Sequence, residues 1–265
     1  MSEFVKIIIL SVVQGLTEFL PVSSSGHLVL AEHFLKFEAP GGAFFELILH
    51  LGTLVAVVVF YRRRFAALAA GLFALERASL SYAAWVVLSI VPAVILYALT
   101  GSSLEAKYEN PAFVAWALCF TGIFLIATAF AKTKSKSGGE KIPVRWYQAL
   151  AMGVAQAVAM LPGVSRSGST IAAARFFGVK PEAAAEFSFI MSVPVIAGAA
   201  LLKILKHHEH IGAGQKLQYG AGAIIAGIVG FLAIKTFVAL LGKGKLWMFG
   251  VYCIAVGALA LAFLK

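Results

Sequence analysis

Apolar residues run through this chain in blocks, and the informative positions are those where polar residues interrupt them. Six blocks are long and predominantly apolar: residues 44–61, 82–99, 112–131, 183–202, 217–241 and 246–264. A helix needs about 20 apolar residues to cross a bilayer core, so each block is predicted to span one. Arg62, Arg63 and Arg64 close the first, and Pro92 is expected to kink the second, a cost that neighbouring helices absorb. Two further blocks are shorter and broken. Residues 4–20 carry Gln14, Thr17 and Glu18 and stop at Pro21, and a brief helix is expected from about His27 to Phe37. Residues 146–161 stop at Pro162, with another short run to Phe177. Both are predicted to enter the membrane and return, which loops at that depth tolerate only where they line a protein-buried or wet cavity.

The order of blocks repeats. Residues 1–131 read as a re-entrant hairpin (4–37) plus three spans, and residues 146–265 as a second hairpin (146–177) plus three spans. The hydrophilic stretch 132–145, rich in Lys, Ser and Gly, reads as a cytoplasmic linker. An odd number of crossings per copy forces the copies into opposite orientations, so the expected fold class is an all-α integral membrane protein with an inverted-topology repeat. Positive charge supports one orientation. Arg62, Arg63, Arg64, Arg77, Arg145, Lys243, Lys245 and the lysines of the linker fall on one side, and Lys6, Lys36, Lys107, Lys206, Lys216 and Lys265 on the other. The richer side is expected in the cytoplasm, with both termini outside.

Composition agrees. Of 265 residues, 61% are hydrophobic and 13% charged, and mean hydropathy is +0.92. The net charge of +10 sits in short loops, so it reads as topology signal and anionic-lipid contact, with no nucleic-acid module. Cys119 and Cys253 lie within apolar runs and read as small hydrophobes. The block at 4–13 leads into QGLTEFLP instead of a small-residue cleavage site, so no cleavage is expected.

The chemistry concentrates where the two short blocks break. LPGVSRSGST at 161–170 sets the Arg166 guanidinium among Ser165, Ser167, Ser169 and Thr170 at the start of a helix-compatible run. Arg offers a planar fork of donors to phosphate, and a helix N-terminus adds free backbone N–H groups. LPVSSSGH at 20–27 is a diverged copy, and Gln14 answers Gln156 about 142 residues away. Twin loops from two halves suggest one composite site. Glu18 is a carboxylate in an apolar hairpin and requires a partner or a task. Gln14, four residues earlier, shares its helical face. The pair could hold a hard cation shared with substrate phosphates. His27 could serve as general acid or base, or prepare Ser24 as a nucleophile. Ser23 and Ser25 are expected to bind substrate with Ser165, Ser167 and Thr170. His50, inside a span, reads as a satisfied core histidine, and His207, His208 and His210 read as a solvated turn. Charge neutralisation, a nucleophile and a proton acceptor are what phosphoryl transfer needs, so these residues propose a membrane-embedded phosphate-ester or pyrophosphate hydrolase acting on a lipid phosphate.

QGLTEFLPVSSSGH at 14–27, PGVSRSGST at 162–170 and the flanking EFSF at 186–189 closely resemble the bacterial undecaprenyl-diphosphate phosphatase family, whose members are associated with bacitracin resistance. The resemblance covers essentially the whole chain. It implies removal of the terminal phosphate of undecaprenyl diphosphate, recycling a lipid carrier for peptidoglycan synthesis at the inner membrane. It also implies dependence on a divalent cation, Mg²⁺ or Ca²⁺, and the catalytic residues Glu18, Ser24, His27 and Arg166. The family's Glu/Gln-x-x-x-Glu motif falls on Gln14 and Glu18. An amide at Gln14 cannot accept a proton, which puts the acid–base and metal burden on Glu18. Ser24 and water both remain as nucleophile. The partners expected are the polyprenyl diphosphate, membrane lipids and a second copy of the chain. The inverted repeat leaves one other reading, a transporter or flippase of the lipid carrier.

Overall fold

The computed structural model describes residues 1–37, 42–108, 110–130, 144–206, 212–241 and 245–264. Glu109, most of the linker expected at 132–145, the His207, His208 and His210 group and Lys243 lie outside the described residues. Among those described, the secondary structure is wholly helical, with no strand. The helices are α1 (Glu3–Phe19), α2 (Ser24–Leu35), α3 (Gly42–Phe60), α4 (Arg62–Phe73), α5 (Arg77–Tyr108), α6 (Pro111–Ala127), α7 (Trp146–Val158), α8 (Arg166–Phe176), α9 (Pro181–Lys206), α10 (Ala213–Leu241) and α11 (Leu246–Phe263).

Local chemistry explains the ends of the short helices. Ser2 caps α1 by accepting from the Val5 amide. The helix stops because Leu20 precedes a proline and is extended at φ −67°, ψ 145°. Ser23 and Ser165 cap α2 and α8 with their hydroxyls, accepting from the amides of Gly26 and Gly168. At 17, 12, 13 and 11 residues, α1, α2, α7 and α8 fall short of a crossing or nearly so.

Five helices are long and apolar enough to cross a bilayer: α5, α6, α9, α10 and α11. A sixth span results if α3 and α4 are taken together, although they bend by 72°. The three arginines expected to close this span instead begin another helix. Hydrogen bonding passes unbroken through Tyr61, and the chain turns there, so the direction changes without unwinding the helix. Arg64 turns inward, 2.9 Å from Glu186 Oε1 and with its guanidinium 4.8 Å from the Tyr82 ring centre. The second span is also longer than expected. It runs through Pro92 to Tyr108, because no breaker intervenes before Asn110 and Pro111 start α6.

The long helices pack in pairs, α3 on α10 and α6 on α11, while α1 lies on α10 and α7 on α5. Backbones approach closely at small residues. A Cβ on Gly52 would lie 2.1 Å from the Ala223 carbonyl oxygen, and one on Gly122 would lie 2.5 Å from that of Gly250. An aromatic cluster fills the centre: Phe189 meets Phe19 edge-on at 5.5 Å and Phe237 at 6.1 Å. Large apolar side chains such as Val87, Val94, Trp116 and Ile123 point outward, as a lipid-facing surface requires.

Candidate active site

The two serine-rich loops meet. Ser167 Oγ, from the second, donates to the Leu20 carbonyl of the first at 3.0 Å. A Cβ added to Gly26 would come within 2.9 Å of Gly163 Cα, so the crossing needs the glycine. Gly163 itself sits at φ +90°, a region that disfavours other residues, with the Val114 carbonyl oxygen 2.4 Å from where a Cβ would be. Ser23 also has positive φ, at 69°, a strained conformation often retained where function demands it. Thr121 of α6 braces the second loop from behind: its hydroxyl donates to the Gly163 carbonyl and accepts from the Ser165 amide, each at 3.0 Å.

At this crossing one carboxylate gathers the polar residues. Glu18 Oε1 accepts from Arg166 NH2 at 2.8 Å, and Oε2 accepts from Ser24 Oγ at 2.6 Å and from Gln14 Nε2 at 3.0 Å. Ser24 and Arg166 are the first residues of α2 and α8. Both helix N-termini therefore converge on the same point, each contributing about half a positive charge. With Arg166 they set hydrogen-bond donors around a single buried carboxylate. Arg166 is oriented from its other side by the Ser188 carbonyl, which accepts from NH1 at 3.3 Å. Thr170 Oγ1 and Ser188 Oγ, 2.7 Å apart, tie α8 to α9 beside it.

This arrangement brings together Gln14, Glu18, Ser24 and Arg166, all named from sequence. It gives the other named residues different company. The hydroxyls of Ser23 and Ser165 are spent on capping, and those of Ser167 and Thr170 on holding loops and helices together. Ser25 Oγ lies 3.4 Å from Ser23 Oγ. His27 does not turn to Ser24: its Nδ1 lies 2.8 Å from the Ser23 carbonyl and its Nε2 2.9 Å from the Tyr252 hydroxyl. The chain matches the family described as bacitracin resistance protein BacA over residues 7–259.

It belongs to that family.

The chain is 40% identical over 275 residues to the undecaprenyl-diphosphatase of Rubrobacter xylanophilus, covering all of this chain and 99% of that one. It is 38% identical over 269 residues to the undecaprenyl-diphosphatase of Novosphingobium aromaticivorans, with the same coverage. With the protein of that name from Acinetobacter baumannii it shares 35% over 259 residues, covering 98% and 95% of the two chains.

Three residues escaped the sequence reading. His50, taken as a satisfied core histidine, faces the site: Nδ1 bonds the Glu46 carbonyl at 2.8 Å, and Nε2 points at Glu18 Oε2 from 3.6 Å. Its isolation in an apolar span was the available signal, since an ionisable group at that depth is a functional candidate by default. Ser188 lay within the EFSF stretch at 186–189, but its bonds to Arg166 and Thr170 are facts of packing, and Tyr252 carried no local signal, its partner His27 standing 225 residues away.

The donor set can be tested for a divalent cation. Gln14 Oε1 is buried and has no hydrogen-bond partner, an amide oxygen of the kind Mg²⁺ and Ca²⁺ accept. Glu18 beside it supplies a carboxylate. These residues fit a cation that takes one or two protein oxygens and completes its shell on phosphate. They do not make a closed cage, and no group of three or more His, Cys, Asp or Glu residues suited to a metal occurs among the described residues.

Proposed function

We propose that this chain is an undecaprenyl-diphosphatase. It hydrolyses the terminal phosphate of undecaprenyl diphosphate within the membrane, giving undecaprenyl phosphate and inorganic phosphate, and recycles the carrier lipid for cell-wall synthesis. The observation that carries this reading is the convergence of Arg166, Ser24 and two helix N-termini on Glu18.

Arg166 and the amides opening α2 and α8 bind the diphosphate, whose charge spreads over oxygens that these donors match. Arriving phosphate competes with Glu18 for the guanidinium. Ser24 Oγ attacks the terminal phosphorus, and its proton passes to Glu18 Oε2, already 2.6 Å away. The P–O bond to the bridging oxygen breaks and undecaprenyl phosphate leaves. Water then attacks the phosphoserine phosphorus, the P–Oγ bond breaks as Glu18 returns its proton to Ser24 Oγ, and inorganic phosphate leaves. Gln14 and Glu18 would hold the divalent cation, which supplies further neutralisation of phosphate charge. Glu18, rather than His27, takes the serine proton in this scheme because, among the described residues, it is the one bonded to the Ser24 hydroxyl; His27, three residues on, serves as general acid or base for the leaving oxygen and the attacking water.

The two halves are inverted copies in our reading. The crossed packing of α1 on α10 and of α7 on α5 supports it, since each hairpin's first helix rests on the corresponding helix of the other half. The protein would lie in the bacterial cytoplasmic membrane with both termini outside. Arg62 at the bend, Arg77 at the start of α5 and Arg145 just before α7 belong to the richer group of basic residues, which favours that side as the cytoplasmic one.

The test is phosphate release from undecaprenyl diphosphate by purified protein in detergent, with Mg²⁺, Ca²⁺ or EDTA. Cation-dependent release by wild type and a radiolabelled phosphoserine lost in S24A are expected. A folded wild type that releases no phosphate with either cation would overturn the hydrolase and favour carrier translocation. Release by S24A at the wild-type rate would replace the serine with water.

A further inference from the structure

We propose that Tyr252, on α11, is a positioning residue for His27: its hydroxyl and ring hold the imidazole in one orientation and one tautomer beside the Ser24 loop. The inference deepens the phosphatase reading and rests on it. A carbonyl oxygen can only accept, so the 2.8 Å contact to Ser23 puts a proton on His27 Nδ1. In the neutral ring the lone pair is then on Nε2, and the Tyr252 hydroxyl, 2.9 Å away, donates to it. The two rings lie parallel to within 3°, with centres 5.6 Å apart. Hydrogen bond and stack together fix both the tilt and the rotation of the imidazole.

The neighbouring residue anchors the tyrosine. Cys253 is buried, with Sγ 3.8 Å from the Pro21 carbonyl, so α11 is held against the turn of the first hairpin one residue from Tyr252. Tyr252 is itself 45% exposed, so core packing does not explain its placement. His27 stands three residues after Ser24 on the first turn of α2, on the same side of the helix. The last helix of the chain thereby reaches a loop 225 residues away and sets the direction of its imidazole.

The experiment uses full-length protein in detergent and the variant Y252F, which keeps the ring and loses the hydroxyl. With ¹⁵N-labelled histidine, the His27 nitrogen bearing the lone pair is expected to resonate at lower frequency in wild type than in Y252F, H27N serving to assign it. In phosphate release, Y252F is expected to lower kcat about two- to tenfold, the scale of one hydrogen bond, with KM changed less than about twofold on the same basis. In an H27N background the same substitution is expected to cost nothing further. An unchanged nitrogen shift in Y252F, wild-type kcat, or an equal loss in the H27N background would each overturn the proposal. Wild type that releases no phosphate sinks the phosphatase reading instead, and the nitrogen shift then separately answers whether the bond exists.

Discussion

Glu18 is bonded to three side chains and faced by a fourth, and the consequences of removing each differ. Arg166 is the only cation within hydrogen-bonding reach of it among the described residues. Arg166→Ala removes both the diphosphate ligand and the counter-charge, so phosphate release is expected to fall by about 10³-fold or more, as when a phosphoryl-transfer arginine is lost. Arg166→Lys keeps the charge but not the fork, which here spans the Glu18 carboxylate and the Ser188 carbonyl. It is expected to recover only a small part of that loss in the same assay. Glu18→Gln leaves a partly buried guanidinium without its counter-charge and Ser24 without a base, the amide oxygen accepting a hydrogen bond but not a proton. Steady-state kinetics should show a loss of about 10²–10⁴-fold in kcat, and thermal unfolding in detergent a destabilisation of up to about 3–5 kcal/mol. Activity within twofold of wild type in E18Q would remove Glu18 as base. Gln14, Glu18, Ser24 and Arg166 were legible in sequence, because the spacing of four residues and the twin motifs reveal themselves locally. His50 was visible as a histidine bonded within its own span, but its nearness to Glu18 was not. Its meaning depends on Glu18 standing 3.6 Å away on another helix, a fact of packing.

At the scale of elements, the site depends on two helices that stop early and two that begin immediately afterwards. Leu20 and Pro21 end α1, and Gly163 ends the approach of α7, so the polar ends of four short helices lie together instead of being buried within long ones. The breaks could be read from the prolines and serines, which act through their own backbone. The 72° bend after Phe60 could not, since a run of arginines looks the same at the end of a span as at a turn between two helices. Gly163 gives the sharpest element-level prediction. An added methyl group meets the Val114 carbonyl and requires a side chain at φ +90°. Gly163→Ala is expected to destabilise the protein by about 1–3 kcal/mol, lowering its melting temperature in detergent. Because Thr121 bonds both Gly163 and Ser165, the displacement reaches the α8 N-terminus, and activity is expected to fall even in the folded fraction. A variant with normal activity per folded molecule would separate the loop from the site.

For the molecule as a whole, the proposal to test is the opposite orientation of its halves, by which two re-entrant hairpins would enter from opposite faces and meet. The first hairpin should begin and end on the outer side, and the second on the inner. Lys36, at the end of α2, and Glu182, in the first turn of α9 just past the second hairpin, report these sides directly, and both are exposed. Arg63, at the α3–α4 bend, is expected on the inner side and tests it independently. Single cysteines at these positions can be probed with a membrane-impermeant thiol reagent in right-side-out and inside-out vesicles. The native thiols contribute little background, Cys253 being buried and Cys119 partly so, within helices apolar enough to span. K36C is expected to react only from outside, and E182C and R63C only from inside. If K36C and E182C react from the same side, the hairpins enter in parallel and a pseudo-two-fold axis in the membrane plane is excluded. Were all three reversed together, the repeat would survive and only the charge-based orientation would be wrong. The diphosphate headgroup sits on the side from which it can reach Arg166, so the same vesicles, supplied with a short-chain water-soluble prenyl diphosphate, would report which hairpin opens to water.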